Sequence, residues 1–415
     1  MYPSLKINSA RIWSNLMQLS KIGGTDDGGV NRQALTQKDF EAQELCIFWA
    51  NQFGLSISHD PVGNLFFQLK GKDPSLPVVM SGSHLDTQPT GGKFDGAFGV
   101  LAGLEAVRAI IESGVSPRRG IEIVAWMNEE GSRFAPGMMG SETFAGLRTL
   151  ESIKKMTDQY GVSVEEELKE LEKRFSFSEK RLLGQEVFCF VEAHIEQGPI
   201  LEREGFPVGV VTGIQGVRRM RVRVTGDEAH AGTTPYALRR DAIEEASRAI
   251  EKLYSIFSND ETTRFTVGRL ILKPNVPSVV ASEVLFSIDL RHPDSEKLAE
   301  AERRVRIVIS DAMERCMHKV WCIAASDTVM FDERILQTIE NVSKTLGIPS
   351  TRIFSGAGHD ARQMAHCCPT GMIFVPSCDG ISHNVNEYTS QDDIISGTTV
   401  LCNVLAQLAN SLDLI

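Results

Sequence analysis

Metal-ligating and acid–base side chains follow three apolar runs of the sequence, at the points where those runs end. "PVVMSGSH" ends in His84, "IEIVAWMNEE" ends in Glu129 and Glu130, and "EVFCFVEAHI" delivers His194. A later stretch, "GISHNVNE", adds His383. Imidazole and carboxylate groups are ligands of zinc and of manganese, cobalt or nickel. The pattern therefore predicts a metal site.

The stretch 81–96, "SGSHLDTQPTGGKFDG", combines His84 with Asp86, Asp95 and several glycines. Glycines next to Asp95 allow the chain to fold that aspartate back beside His84 without a side-chain clash. Two metal ions roughly 3.5–4 Å apart that share one carboxylate hold a substrate oxygen and a water molecule together. Taken singly, a histidine at a strand end is more often a hydrogen-bonded surface residue, and "EE" a solvated turn. The coincidence of three such ends favours the metal site.

The elements that must position these side chains read as a larger α/β domain with a smaller domain inserted. Strand and helix patterns alternate up to about residue 200, and apolar strands that end in polar residues deliver them to one sheet edge. The larger domain is predicted to comprise residues 1–214 and 331–415, and the smaller one 215–330. A charged segment, 151–180, is helical in period and carries no recognisable chemistry.

The hydrophobic pattern of the inserted domain differs from that of the rest of the chain. "MRVRVTG" alternates strictly, with Met220, Val222 and Val224 on one face. Predicted helices over 241–253 and 294–319 separate the further strand patterns. This β-α-β-β-α-β order predicts a split-βαβ, ferredoxin-like α+β domain.

Bulk composition excludes several classes of protein. A chain of 415 residues, 42% hydrophobic, suits two domains with cores, and the net charge of -11 argues against general affinity for nucleic acid or anionic membranes. No apolar run approaches the ~18 residues of a membrane span. The N-terminus predicts an amphipathic helix through Ile12, Leu16 and Leu19 instead of a signal peptide. Eight cysteines without a CxxC pair predict reduced thiols and a cytoplasmic location.

Several longer motifs resemble one known family. "GSHLDTQPTGGKFDGAFGVLAGLEAV", "NEEGSRF", "EAHIEQGPILE", "GDEAHAGTTP", "DLRH" and "GAGHDA" occur in order over nearly the whole chain. They resemble M20-type dinuclear metallohydrolases of the hydantoinase/carbamoylase amidase branch. That branch holds N-carbamoyl-L-amino acid hydrolases, β-ureidopropionases and allantoate amidohydrolases. The resemblance implies a metallo-exopeptidase-like α/β catalytic domain with an inserted ferredoxin-like lid or dimerisation domain, and a homodimer.

The resemblance also implies a role for each residue of the predicted metal site. Two divalent ions are implied, with zinc first and manganese, cobalt or nickel as alternatives. Glu129 is implied as the general base, and the Asp86 carboxylate as the group that orients His84. Histidine at position 194, where related peptidases commonly have a carboxylate, favours an amidase. The implied ligands are His84, Asp95 and His194 for one ion, and Asp95, Glu130 and His383 for the other.

Residues for substrate recognition are expected on both domains. His230, in the loop "EAHAGTTP", is implied as the donor to a developing oxyanion, supplied by domain closure or by a partner subunit; the alternative is a polar loop residue. Gln197 is expected to reach the carbamoyl group, and the N–H of Gly358 to face the substrate carboxylate. Arg291 and Asn275 are expected to bind that carboxylate too. The alternative for Arg291 is an ion pair with a nearby aspartate, Asp289 or Asp294.

These residues predict a metal-dependent amidohydrolase that splits the linear C–N bond of an N-carbamoyl amino acid into amino acid, ammonia and carbon dioxide. An allantoate amidohydrolase shares every motif, and a metallopeptidase of the same superfamily is a more remote alternative. A metal-binding or interaction protein on a degenerate hydrolase fold would lack at least one ligand or the base. All six positions are filled in this sequence.

Overall fold

Two units of the chain, each with its own core, make up the computed structural model, which describes residues 4–260 and 262–413. One unit runs to Thr212 and resumes at Met330, and the other spans Gly213–Val329. These limits lie close to the predicted domain boundaries. A role of the smaller unit as a lid or dimerisation domain stays a prediction.

The first part of the larger unit alternates helices and strands. Its opening helix buries Ile12, Leu16 and Leu19, as the amphipathic pattern predicts. The elements in this part are the helices α1 (Ser9–Leu19), α2 (Gln37–Asn51), α3 (Ala97–Glu112), α4 (Met139–Phe144), α5 (Leu150–Lys154), α6 (Val164–Arg174) and α7 (Ile200–Glu204), and the strands β1 (Ser56–His59), β2 (Leu65–Leu69), β3 (Val78–His84), β4 (Ile121–Trp126), β5 (Glu179–Lys180), β6 (Val187–Ile195) and β7 (Val208–Ile214).

The smaller unit is an antiparallel sheet that carries two helices. Its elements are β8 (Gly216–Thr225), β9 (Ala229–His230), α8 (Ala242–Phe257), β10 (Arg264–Thr266), β11 (Leu270–Lys273), β12 (Val279–Val280), β13 (Glu283–His292), α9 (Ser295–Ala312) and β14 (Met317–Ser326). The sheet order is β10-β13-β8-β14, with β11 also beside β13. Met220, Val222 and Val224 are fully buried and pack in one core with residues of both helices. The ferredoxin-like prediction is confirmed.

The chain then returns to the larger unit and completes its sheet. The returning elements are β15 (Val329–Met330), α10 (Glu333–Leu346), β16 (Ser350–Ser355), α11 (Asp360–Met364), β17 (Thr370–Val375) and α12 (Gln391–Asn410). The sheet runs β15-β7-β17-β6-β3-β4-β2-β1-β5, with β16 also beside β7. Strands β17, β6, β3 and β4 are mutually parallel. Among the described helices, α12 included, none is both long and apolar enough to cross a membrane.

Two predicted helical segments are wrong in extent. The helix predicted over 294–319 ends at Ala312, and Lys319 lies in β14, where it pairs with β8. The buried stripe of α9 stops at Ala312, and none of the residues of the edge strand β14 is buried. The segment 151–180 is divided into α5, α6 and β5 because a capping box between Ser163 and Glu166 begins a new helix.

His59, which lies outside the predicted site, is a buried core residue whose neutral form the fold requires. Burial lowers the pKa of its ring from 6.5 to about 4, and the ring stacks on Phe175. Between these values the unfolded chain binds a proton that the folded chain excludes, so stability falls as pH falls through this window. We expect His59 to account for about 2 kcal/mol of lost unfolding free energy between pH 7 and pH 5.

Urea denaturation at the two pH values measures this loss. His59→Phe removes the titrating group while keeping an aromatic ring against Phe175, so the pH-dependence of its unfolding free energy should be shallower by that amount. An equal slope in both proteins would contradict the prediction.

Candidate metal centre

Three neighbouring parallel strands bring the predicted ligands to one edge of the larger sheet. β3 ends at His84, β6 carries His194 as its penultimate residue, and Glu129 and Glu130 follow two residues after the end of β4. The strands lie in the order β6-β3-β4, and His84 is in register with Trp126 of β4. Since the carboxyl ends of parallel strands meet at one edge, the side chains converge there.

Asp95 lies at the centre of this convergence. Its Oδ1 is 3.1 Å from His194 Nε2 and 3.7 Å from His84 Nε2. Its Oδ2 is 3.3 Å from His383 Nε2, which in turn is 3.5 Å from Glu130 Oε2. Asp95 therefore presents one oxygen to each of two sets of partners.

Two groups of ligating atoms result, and within each group all atoms lie within 4.8 Å of one another. Three imidazoles, one shared carboxylate and a second carboxylate match the nitrogen and oxygen donors of zinc and related ions. His84, Asp95 and His194 are buried, whereas Glu130 is half-buried and His383 is exposed. The groups are His84, Asp95 and His194, and Asp95, Glu130 and His383.

A left-handed glycine allows Asp95 to reach this position. Gly96 has φ of 65°, and a Cβ atom there would lie 2.4 Å from the ring of His84. Any side chain at this position would therefore displace the imidazole. The close approach of the two chain segments accounts for the glycine that follows Asp95 in the sequence.

The Asp86 carboxylate holds Glu129 and Glu130 in place through their backbone N–H groups. Its Oδ1 accepts the N–H of Glu129 and its Oδ2 the N–H of Glu130, each at 3.2 Å. The predicted orientation of His84 comes mainly from the main-chain oxygen of Asp86, 2.9 Å from Nδ1, with the carboxylate 3.6 Å away. An acceptor at Nδ1 leaves Nε2 free to bind a metal ion.

The charge states of the ligands depend on Asp95. Burial raises the pKa of Asp95, but hydrogen bonds with His194 and His383 outweigh it and hold that pKa well below its usual range. Burial lowers the pKa of His194, yet its hydrogen bond with Asp95 and the charge of that carboxylate raise it to about 9. The hydrogen bond with Asp95 likewise raises the pKa of His383 to about 9. A metal ion bound here would have to displace these protons, so its binding would weaken as pH falls.

Glu129 is placed to act as a base beside these ligands. It is buried, and its Oε2 lies 3.5 Å from His84 Nε2. Burial raises the pKa of Glu129 well above its usual range, and the negative charges of Asp360 and Glu130 raise it further. A carboxylate of raised basicity is a better proton acceptor near neutral pH.

Glu387 is a functional candidate that sequence reasoning missed. Its Oε1 accepts the backbone N–H groups of Phe94 and Asp95, each at 3.1 Å, and its Oε2 accepts Ser382 Oγ–H at 2.9 Å. It thus ties the loop of Asp95 to the loop of His383. Its position four residues after His383 was a usable signal.

Glu192 is a second missed residue, fully buried in β6 two positions before His194. Its carboxylate accepts Ser83 Oγ–H at 2.7 Å and the N–H of Ala361 at 2.8 Å. It therefore connects β3, β6 and the start of α11. A carboxylate inside an apolar strand is costly unless it is bonded in this way, and that was the available signal.

Two predicted substrate-binding residues lie on the larger unit. Gln197 donates through Nε2 to Asp95 Oδ2 at 3.0 Å, and its Oε1 is buried without a partner among the described residues. Its backbone is left-handed, with φ of 59°. Gly358 is exposed, just before His359, whose ring lies 4.4 Å from that of His194.

The remaining three predicted residues lie on the smaller unit. His230 accepts the N–H groups of Gly232 and Thr233 at Nδ1, which leaves the proton of the neutral ring on Nε2 as a donor. Asn275 is exposed, with φ of 60°. Arg291 donates to Asp289 at 2.8 Å, the ion pair weighed as its alternative, so its substrate role stays a prediction.

The mixed α/β fold and the paired ligand groups define the class, a hydrolase with a site suited to metal ions. The family model described as "Peptidase family M20/M25/M40" matches residues 80–407. The chain belongs to this family, and the resemblance seen in its motifs is confirmed.

Similar proteins span the whole chain. An N-carbamoyl-L-amino-acid amidohydrolase of Rhizobium meliloti is 38% identical over 97% of both chains. An allantoate amidohydrolase of Bacillus subtilis is 35% identical over 94% of this chain and 95% of its own. The crystal structure of an amidase of the hydantoinase/carbamoylase family from Burkholderia multivorans has 39% identity and a TM-score of 0.93, covering 99% of this chain and 100% of its own.

Proposed function

We propose that the protein hydrolyses the linear C–N bond of N-carbamoyl amino acids, releasing the amino acid, ammonia and carbon dioxide. The observation that carries this proposal is Asp95, whose two carboxylate oxygens face separate histidines beside the buried Glu129. This arrangement suits water attack on an unreactive carbonyl. The Rhizobium meliloti relative, similar over its whole length, supports a ureido compound as substrate.

The ligand groups are proposed to hold two divalent ions, zinc first, with manganese, cobalt or nickel as alternatives. Such ions would activate water and polarise the ureido oxygen when bound. Glu129 accepts the proton of the attacking water and returns it to the leaving nitrogen. Asp86 keeps Glu129 and Glu130 in place through their backbone N–H groups.

Recognition of the ureido group is assigned to Gln197. Its Oε1 is a buried acceptor without a partner among the described residues, and the terminal NH2 of a carbamoyl group is a matching donor. A buried amide oxygen left unpaired disfavours substrates that lack this donor. The amide nitrogen of Gln197 is held by Asp95, which fixes the orientation of the oxygen.

Recognition of the carboxylate is assigned to Gly358, and to Asn275 and Arg291 of the smaller unit. The Gly358 N–H is exposed, and none of the described residues accepts it. His230 is proposed to stabilise the oxyanion through its Nε2 proton, since Nδ1 is occupied by two backbone donors. We further propose a homodimer that acts in the cytoplasm.

Ammonia release by metal-reconstituted protein, with and without chelator, tests the function. The substrates are N-carbamoyl-β-alanine, several N-carbamoyl-L-amino acids, allantoate and a set of dipeptides scored by free amino acid. Chelator-sensitive turnover of an N-carbamoyl amino acid is expected. A preference for allantoate would assign the activity of the Bacillus subtilis relative instead, and turnover of dipeptides alone would make the protein a peptidase.

A further inference from the structure

Met138 is held beside the proposed base by its main chain. Its N–H donates to the carbonyl oxygen of Glu129 at 2.9 Å, and its own carbonyl oxygen accepts the N–H of Glu142 at 2.9 Å. It adopts a left-handed backbone conformation, with φ of 61°, immediately before α4. A non-glycine residue in this conformation persists only where its surroundings hold it. The direction in which its side chain leaves the backbone is therefore set.

The side chain of Met138 ends beside Gly358, the residue assigned to the substrate carboxylate. Its Cε atom lies 3.4 Å from the point where a Cβ atom on Gly358 would stand. Met138 is half-buried and Gly358 is exposed. Met138 is thus bonded to Glu129 through its main chain, and the apolar end of its side chain lies beside Gly358.

The covalent structure of the proposed substrate places its α-carbon in the same interval. In an N-carbamoyl α-amino acid, the ureido carbon is joined through one nitrogen and the α-carbon to the carboxylate carbon. With the ureido group at Glu129 and the carboxylate at Gly358, the α-carbon lies between them. The substrate side chain therefore leaves the α-carbon between Glu129 and Gly358, the two residues that Met138 contacts.

We propose that Met138 sets the side-chain preference of the enzyme at the substrate α-carbon, in favour of unbranched apolar side chains. This inference rests on the proposed function and names its substrate class more narrowly. A thioether chain is unbranched and polarisable, so it adapts to extended apolar groups and offers a polar group no strong hydrogen bond. A methylene group in an apolar pocket changes kcat/KM by about tenfold or more.

The test compares kcat/KM for N-carbamoyl-L-norleucine with that for N-carbamoylglycine, which has no side chain. Met138→Gln keeps the length of the side chain but replaces its apolar end with an amide, and the ratio should fall about tenfold. Met138→Leu, a volume-conserving apolar change, should keep the ratio within about threefold. Met138→Ala, which removes the contact without adding a polar group, should lower the ratio as well. Metal content and thermal unfolding are measured for each variant.

The two proposals fail in different ways. If metal-loaded wild-type protein turns over neither compound, nor any other N-carbamoyl amino acid, the proposed function is wrong. If it turns over both, and Met138→Gln and Met138→Ala leave the ratio unchanged, only the role of Met138 is wrong. A lower ratio in Met138→Gln and Met138→Ala, together with a near wild-type ratio in Met138→Leu, supports the role of Met138.

Discussion

Replacing Glu129 by glutamine is expected to lower kcat by roughly 10³-fold, within the range that general-base catalysis supplies. Glutamine has the same shape as glutamate but cannot accept a proton at neutral pH. Burial and the surrounding negative charges raise the pKa of Glu129, which makes it a better proton acceptor than an ordinary glutamate. Its backbone N–H, which Asp86 accepts, is unaffected by the change.

Metal content separates this effect from a loss of structure. Glu129→Gln should retain the wild-type number of ions, measured by mass spectrometry of the metals after gel filtration. Glu130→Gln is the matched control, since its carboxylate faces His383 and belongs to a ligand group. That variant should lose metal together with activity. Activity of Glu129→Gln within tenfold of wild type, or loss of its metal, would contradict the assigned role.

The part of the site that strands deliver could be predicted from the sequence. His84, Glu129 and His194 each follow or end an apolar run, and parallel strands bring such ends to one edge. The pairing of Asp95 with His383 had no such basis, because both residues lie on loops. Only the resemblance to a family connected them, and the glycines around Asp95, Gly96 among them, were the local sign that the loop turns back.

The carboxylates that hold these loops could not be found by periodicity. Glu387 acts through backbone N–H groups nearly 300 positions away in sequence, at Phe94 and Asp95. Glu192 is hidden within an apolar strand that reads as core. Their roles are set by tertiary hydrogen bonds, which hydrophobic periodicity does not record. The overextended helix at 294–319 has a different cause: charged residues continue past its end at Ala312, and the last of them, Lys319, lies in an exposed edge strand.

Removing the shared carboxylate is expected to empty both ligand groups at once. Asp95→Ala deletes the Oδ1 atom that faces His84 and His194 and the Oδ2 atom that faces His383. The variant should therefore lose both metal ions and all measurable turnover. Its backbone N–H still donates to Glu387, so the loop keeps its anchor. Circular dichroism and thermal unfolding verify that the variant folds.

His383→Ala is the control that distinguishes a shared ligand from two independent sites. His383 is half-exposed and belongs to one ligand group only, so its loss should remove one ion and leave the group of His84, Asp95 and His194 intact. Metal titration of the three proteins, read as ions bound per chain, should then give two for wild type, one for His383→Ala and none for Asp95→Ala. A folded Asp95→Ala protein that keeps one ion with wild-type affinity would mean that Asp95 serves a single metal. Glu129, beside His84, or Glu130, beside His383, would then have to complete the group that keeps its ion without Asp95.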